Sequence, residues 1–165
     1  MARALNLTLP IKQDPETLAK LQHVKAIFAK EIQPKIDEAL RESEIVHFAR
    51  VLVVHDKYLM VITEYDGGPK EYTEFFRKSL PKVFERLFSL AEGAPSFDDL
   101  DEEAFFKLSQ GLDLPSLGES TEGFTDAHGK SKGYLFSAYG NRTVKQMLRE
   151  PEESGDDEAG SLEAV

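Results

Sequence analysis

The sequence predicts an α+β domain, a small antiparallel sheet carrying helices, and three observations predict it. Ile45 to Gly67 (IVHFARVLVVHDKYLMVITEYDG) is the most apolar and β-rich stretch, two strand-like runs about a polar His55-Asp56-Lys57 turn. Leu5, Leu7, Leu9 and Ile11 alternate with Asn6, Thr8 and Pro10, the period of a half-buried strand. Two further stretches, Leu18 to Leu40 and Tyr72 to Phe88, repeat apolar residues at helical spacing.

Taken in order, the first strand ends near Ile11. Asp14-Pro15-Glu16 then supplies an N-cap, a first-turn proline and an acid matched to the helix dipole. Leu18, Leu21, Phe28, Ile32, Ile36 and Leu40 form the apolar stripe of the helix that follows. Pro34 lies inside that run and predicts a kink or break near Lys30–Gln33, with the helix over by Ser43. In the first hairpin strand, regular alternation puts Ile45, His47, Ala49, Val51 and Val53 on one face and Val46, Phe48, Arg50, Leu52 and Val54 on the other. Both faces are largely apolar, as are those of Tyr58 to Tyr65, so these strands need cover on each side. If helices cover one face, a partner or ligand must cover the other.

Asp66-Gly67-Gly68-Pro69 breaks the hairpin and opens a second helix. Its stripe runs Tyr72, Phe75, Phe76, Leu80, Val83, Phe84, Leu87, Phe88, with Pro81 dividing it and Gly93 as a stop. These aromatics either line a pocket or, more simply, form core. Ser96 is placed to cap a short helix carrying Phe105 and Phe106, two residues suited to closing a cavity or a dimer seam. Residues 111–132 read as an extended polar loop, Gly133 to Tyr139 (GYLFSAY) as a fourth strand, and Thr143 to Arg149 as a last short helix. The order is a ferredoxin-like βαββαβ plan, one domain over residues 1–150 with a helical insertion at about 94–132. Residues 151–165 have the composition of a disordered acidic tail.

Composition narrows the function. Without cysteine, thiolate catalysis, disulfides and Cys-based metal sites are excluded, and a reducing cytoplasm is the expected compartment. The N-terminus lacks a signal peptide's apolar run, and no stretch reaches the roughly 18 apolar residues of a membrane helix. Net charge is −10, which argues against a nucleic-acid backbone as partner. Six of the thirty acidic residues and no basic one lie in the tail, leaving residues 1–150 only mildly acidic. His23, His47, His55 and His128 show no HxH or HExxH spacing, so no metal site is expected. There is no GxSxG, P-loop or GxGxxG ahead of a helix.

With VHFAR (Val46–Arg50) and EYDG (Glu64–Gly67), the βαββαβ order resembles the dimeric α+β barrel superfamily, and most of all a bacterial branch with a VHFARF-type strand and a following YDG. The resemblance covers roughly residues 4–92 and 132–149. It implies a homodimer built face to face on two sheets, with a cavity beside the sheet for a small hydrophobic organic molecule. It also brings in cofactor-free monooxygenases, isomerases and haem peroxidases as relatives, so the fold does not choose a function. The haem peroxidases carry a GxxDG signature. Here Thr63-Glu64-Tyr65-Asp66-Gly67 keeps only the final pair, which leaves haem the least supported cofactor.

Four residues are the candidate ligand-binding set: His47, Arg50, Tyr65 and Asp66. On a doubly buried strand, His47 suits a general base, a ligand donor or a haem ligand, and is the candidate catalytic residue. The plainer reading is a core histidine bonded to a neighbour. Arg50 reads as an anion anchor, or as the partner of Glu64 or Asp66 in an ion pair. Asp66, before Gly-Gly-Pro, reads as a helix cap. His128 beside Asp126 sits in a loop that can close over a site or simply stay polar.

Overall fold

The computed structural model describes residues 1–150; the tail, 151–165, lies outside the described residues. Strands β1 (Ala2–Pro10), β2 (Val46–Val54) and β3 (Tyr58–Asp66) form one antiparallel sheet in the order β1-β3-β2. β2 and β3 join through a two-residue turn closed by Lys57 N–H donating to the Val54 carbonyl at 3.0 Å. His55 (φ 52°) and Asp56 (φ 55°) are both left-handed, the geometry that matches the twist of a tight hairpin. Neither is glycine, and the turn is held from outside. Lys25 Nζ bonds the Asp56 carboxylate at 2.5 Å, and Gln13 Nε2 bonds its carbonyl at 3.0 Å.

Helix α1 (Pro15–Ile27) begins where expected, the Asp14 carboxylate accepting from the Thr17 amide at 2.9 Å and hydroxyl at 2.7 Å. The break expected before Pro34 is a π turn over Phe28–Ile32, followed by α2 (Gln33–Ser43). Pro34 has no N–H to donate back to Lys30, and the Gln33 amide instead reaches five residues back to Phe28. Glu44 at φ 52° ends α2. Pro81 divides the second helical run into α3 (Pro69–Ser79) and α4 (Pro81–Ser89). The short helix of the insertion is α5 (Glu102–Leu112). Its cap is Asp101, which accepts from the Ala104 amide, and not Ser96, which only begins a 3₁₀ turn.

The helices pack on one face of the sheet. Leu5, Leu7, Leu9 and Leu59 are buried there with Leu21, Val24, Ile32, Phe76, Val83 and Leu87. The second-helix aromatics are therefore core. Phe105 joins them at 2% exposure, edge-on to Phe84, Phe88 and Phe97 at 5.2–5.7 Å between centroids. It closes neither a cavity mouth nor a dimer seam; the insertion contributes to the main core.

Two further expectations fail for physical reasons. Gly133–Tyr139 does not form a fourth strand; among the described residues the sheet has three. The outer edge of β1 is already occupied, because Leu114 N–H donates to the Asn6 carbonyl at 3.0 Å and the Asp113 carboxylate takes the Asn6 amide at 2.8 Å. Residues 133–135 are in turn bonded to the loop, Tyr134 N–H to Leu117 O and Leu135 N–H to Thr121 Oγ1. The second failure is the assignment of faces in β2. Val46 pairs with Tyr65 but Phe48 pairs with Glu64, which leaves His47 as the extra residue of a β-bulge. The bulge puts Val46 on the helix side with Ala49, Val51 and Val53. It turns His47 toward the face that carries Phe48, Arg50 and Glu64.

Candidate functional site

At the bulge, His47 is bonded through both ring nitrogens. Its Nε2 lies 2.8 Å from Asp66 Oδ1, and its Nδ1 lies 2.7 Å from the Tyr139 hydroxyl. The two rings stack at 5.7 Å with 24° between their planes. The His47 side chain is 1% exposed and that of Asp66 10%. A carboxylate only accepts, so in the neutral ring Nε2 carries the proton and Nδ1 takes the Tyr139 O–H. The second oxygen of Asp66 accepts the Val144 amide at 2.8 Å, at the start of α6 (Val144–Arg149). Asp66 therefore fastens residues 139–144 to the sheet and does not cap α3, whose N-cap residue is Gly68, without a side-chain cap. The Tyr139 hydroxyl is pushed up from its ordinary value, first by burial and then by Asp66 and Glu64, so at neutral pH it is a phenol able to donate.

Between this open face and residues 135–139 lies a cleft of about 500 Å³. Its walls include Phe48, Arg50, Glu64, Leu135, Phe136 and Tyr139. Phe48 and Phe136 are 67% and 86% exposed, a large apolar area for two side chains at a rim. Arg50 has no ion-pair or hydrogen-bond partner among the described residues, so the expected pair with Glu64 or Asp66 is not made. Glu64 is near enough to feel it: burial raises the Glu64 carboxyl above its ordinary value, and Arg50 and His47 oppose that rise.

The sign of that shift gives a prediction. A carboxyl raised by folding contributes stability below its unfolded value, and that contribution is lost as pH climbs through the folded one. Ionised Glu64 thus works against the fold at neutral pH. Glu64→Gln should melt higher than wild type at pH 7 and show no advantage at pH 3.5, by scanning calorimetry. An advantage that is largest at pH 3.5 would contradict the assignment.

Of the four predicted site residues, the structure joins His47 to Asp66 and sets Arg50 on the same face in the cleft. Tyr65 is elsewhere. It lies on the helix side, 2% exposed and stacked on Tyr72 at 4.1 Å. The sequence reading assigns no role to Tyr139 or Phe136, whose only signal is an aromatic run before Gly140. His23, His55 and His128 are exposed, and among the described residues no group of three His, Asp or Glu could hold a metal. The His128 amide donates to Asp126 Oδ1, which closes a turn in that loop. His47 does not fit a haem ligand, since both nitrogens are engaged and the ring is sealed. Among the described residues no helix is long and apolar enough to cross a membrane. No protein-family model, curated protein or solved structure matches the chain.

Proposed function

We propose that the chain is a binding protein for a small, largely hydrophobic organic molecule bearing an acidic group, and that it works as a homodimer. The observation that carries this reading is Arg50, a guanidinium without a partner among the described residues, in a cleft whose other walls are aromatic and aliphatic apart from Glu64 and Ser137. A planar fork of donors suits a carboxylate, and the rings suit the apolar body. His47 and Asp66 support the cleft wall through Tyr139 and do not touch the ligand. A second copy is the occupant proposed for the rest of the open face, where Leu52, Val54, Met60 and Ile62 are half-buried without helices over them. This is the arrangement of a dimeric α+β barrel, and the bacterial-branch resemblance points the same way.

The test uses 2-naphthoate and its neutral amide, titrated by calorimetry. Arg50→Gln should weaken naphthoate by about tenfold or more, the scale of one charged hydrogen bond, and leave the amide unchanged. Equal binding of acid and amide by wild type would remove the anchor, and with it the proposal. Sedimentation should give twice the 18.5 kDa chain mass; a monomer at micromolar concentration would reject the dimer.

A second reading rests on one observation: the Asp66–His47–Tyr139 chain ends at a phenol lining the cleft. A carboxylate–imidazole–phenol relay is acid–base equipment, which suits a cofactor-free monooxygenase or isomerase. Tyr139→Phe separates the two, since it abolishes turnover only if Tyr139 moves a proton.

A further inference from the structure

A second cavity, of about 110 Å³, lies at the β1 edge of the sheet, walled in part by Arg3, Tyr65, Gln110, Phe124, Asp126 and Lys132. Three of these side chains, Arg3, Tyr65 and Gln110, have donors with no acceptor among the described residues. The Tyr65 side chain is almost wholly buried, yet its hydroxyl makes no hydrogen bond among the described residues. That hydroxyl is nevertheless not sealed, because no buried side-chain polar atom among the described residues lacks a partner. It therefore opens to the cavity that Tyr65 lines. Arg3 is half-buried with its guanidinium carbon over the Phe124 ring, 4.0 Å from the centroid, and no carboxylate pairs with it among the described residues. The cation–π contact holds the guanidinium at the cavity wall without using its N–H donors. Arg3 also stands close enough to Tyr65 to draw the phenol down against the rise that burial imposes.

Of the other polar groups, the Thr125 hydroxyl and Asp126 Oδ2 make no hydrogen bond among the described residues, and the rest named above are engaged. Lys132 Nζ is 3.2 Å from Asp113 and 3.2 Å from Gln110. Asp126 Oδ1 accepts the amides of His128 and Lys130. An unpaired guanidinium and an unpaired phenol facing one partly open space are a two-donor receptor for an oxyanion. Its volume of about 110 Å³ suits the head of a small carboxylate.

We propose that this cavity is a binding site for a small monocarboxylate, with Arg3 and Tyr65 as its donors, separate from the cleft at Arg50. The site needs neither the dimer nor the larger ligand, and does not depend on the reading of the cleft.

The experiment is a titration of propionate, with propionamide as neutral isostere, followed by amide chemical shifts. Wild type should saturate with propionate and not with propionamide, and the shifts should centre on residues 2–4, 65 and 124–135. Tyr65→Phe keeps the ring on Tyr72, and Arg3→Met keeps an apolar stem on Phe124, so both should fold. Each should weaken propionate at least about tenfold, as expected when a charged or buried hydrogen bond is lost. Arg50→Gln should bind propionate like wild type. The proposal is overturned by no saturation up to tens of millimolar, by propionamide binding equally, or by shifts that follow Arg50 and spare Tyr65. If a variant melts early, the wild-type shift map and the amide control decide alone.

Discussion

His47→Ala is expected to melt roughly 10 °C below wild type. The substitution removes a side chain buried to 99% and leaves Asp66 with a carboxylate oxygen facing the hole. Removing one partner of a buried, hydrogen-bonded pair costs about 3–5 kcal/mol, and in a chain of this length each kcal/mol moves the melting point by about 2–4 °C. The Tyr139 hydroxyl loses its acceptor at the same time, and the 133–149 segment loses one of its ties to the sheet. Limited proteolysis should therefore cut within that segment sooner in the variant. Tyr139→Phe, which keeps the ring and the His47–Asp66 bond, should cost only about 1 kcal/mol, the net worth of one hydrogen bond. A His47→Ala protein within a degree or two of wild type would mean that the buried chain of bonds contributes nothing to stability.

Gly133→Ala is expected to cost at least about 2–3 kcal/mol, for two reasons that add: left-handed backbone strain and overpacking. Gly133 has φ +88°, and a Cβ there would stand 2.0 Å from the Ser116 carbonyl oxygen. That oxygen is backbone, so no rotamer change relieves the clash. The crossing of the two loop strands would have to open, stretching the bonds Ser116 N–H to Lys132 O (3.0 Å) and Thr121 N–H to Gly133 O (3.2 Å). Gly123→Ala is the matched control, with φ +75° and nothing within 4 Å of its Cβ; it should cost only the backbone strain, about 1–2 kcal/mol. Urea unfolding of the two variants isolates the contact. Equal losses would show that the loops do not meet as described.

Where local pattern decides the outcome, the sequence was readable. Asp14-Pro15 starts α1, Pro34 forces the π turn, Pro81 splits the second helical run, apolar alternation finds β1, and the continuous apolar, β-rich runs find β2 and β3. Long-range competition is what it hid. GYLFSAY has the look of a strand, but it can join the sheet only if an edge is free, and Asn6 has already bonded to Asp113 and Leu114 more than a hundred positions away. The β-bulge was equally invisible, since one unpaired residue leaves no mark on composition. Yet it decides that His47 and Arg50 share a face. Tyr139 had no local signal, because its hydrogen-bond partner among the described residues is a histidine from the second strand.

Asp66 holds the end of β3 and the start of α6 with the two oxygens of one carboxylate. Residues 133–149 are thus closed onto the sheet by a few directional bonds, while the helix-side core is closed by many apolar contacts. Segments held in the first way open more often than the molecule unfolds, and each opening is a separate event in native-state hydrogen exchange. The Val144 amide is the reporter, protected only while Asp66 accepts from it. Its exchange rate then counts how often the strap lifts.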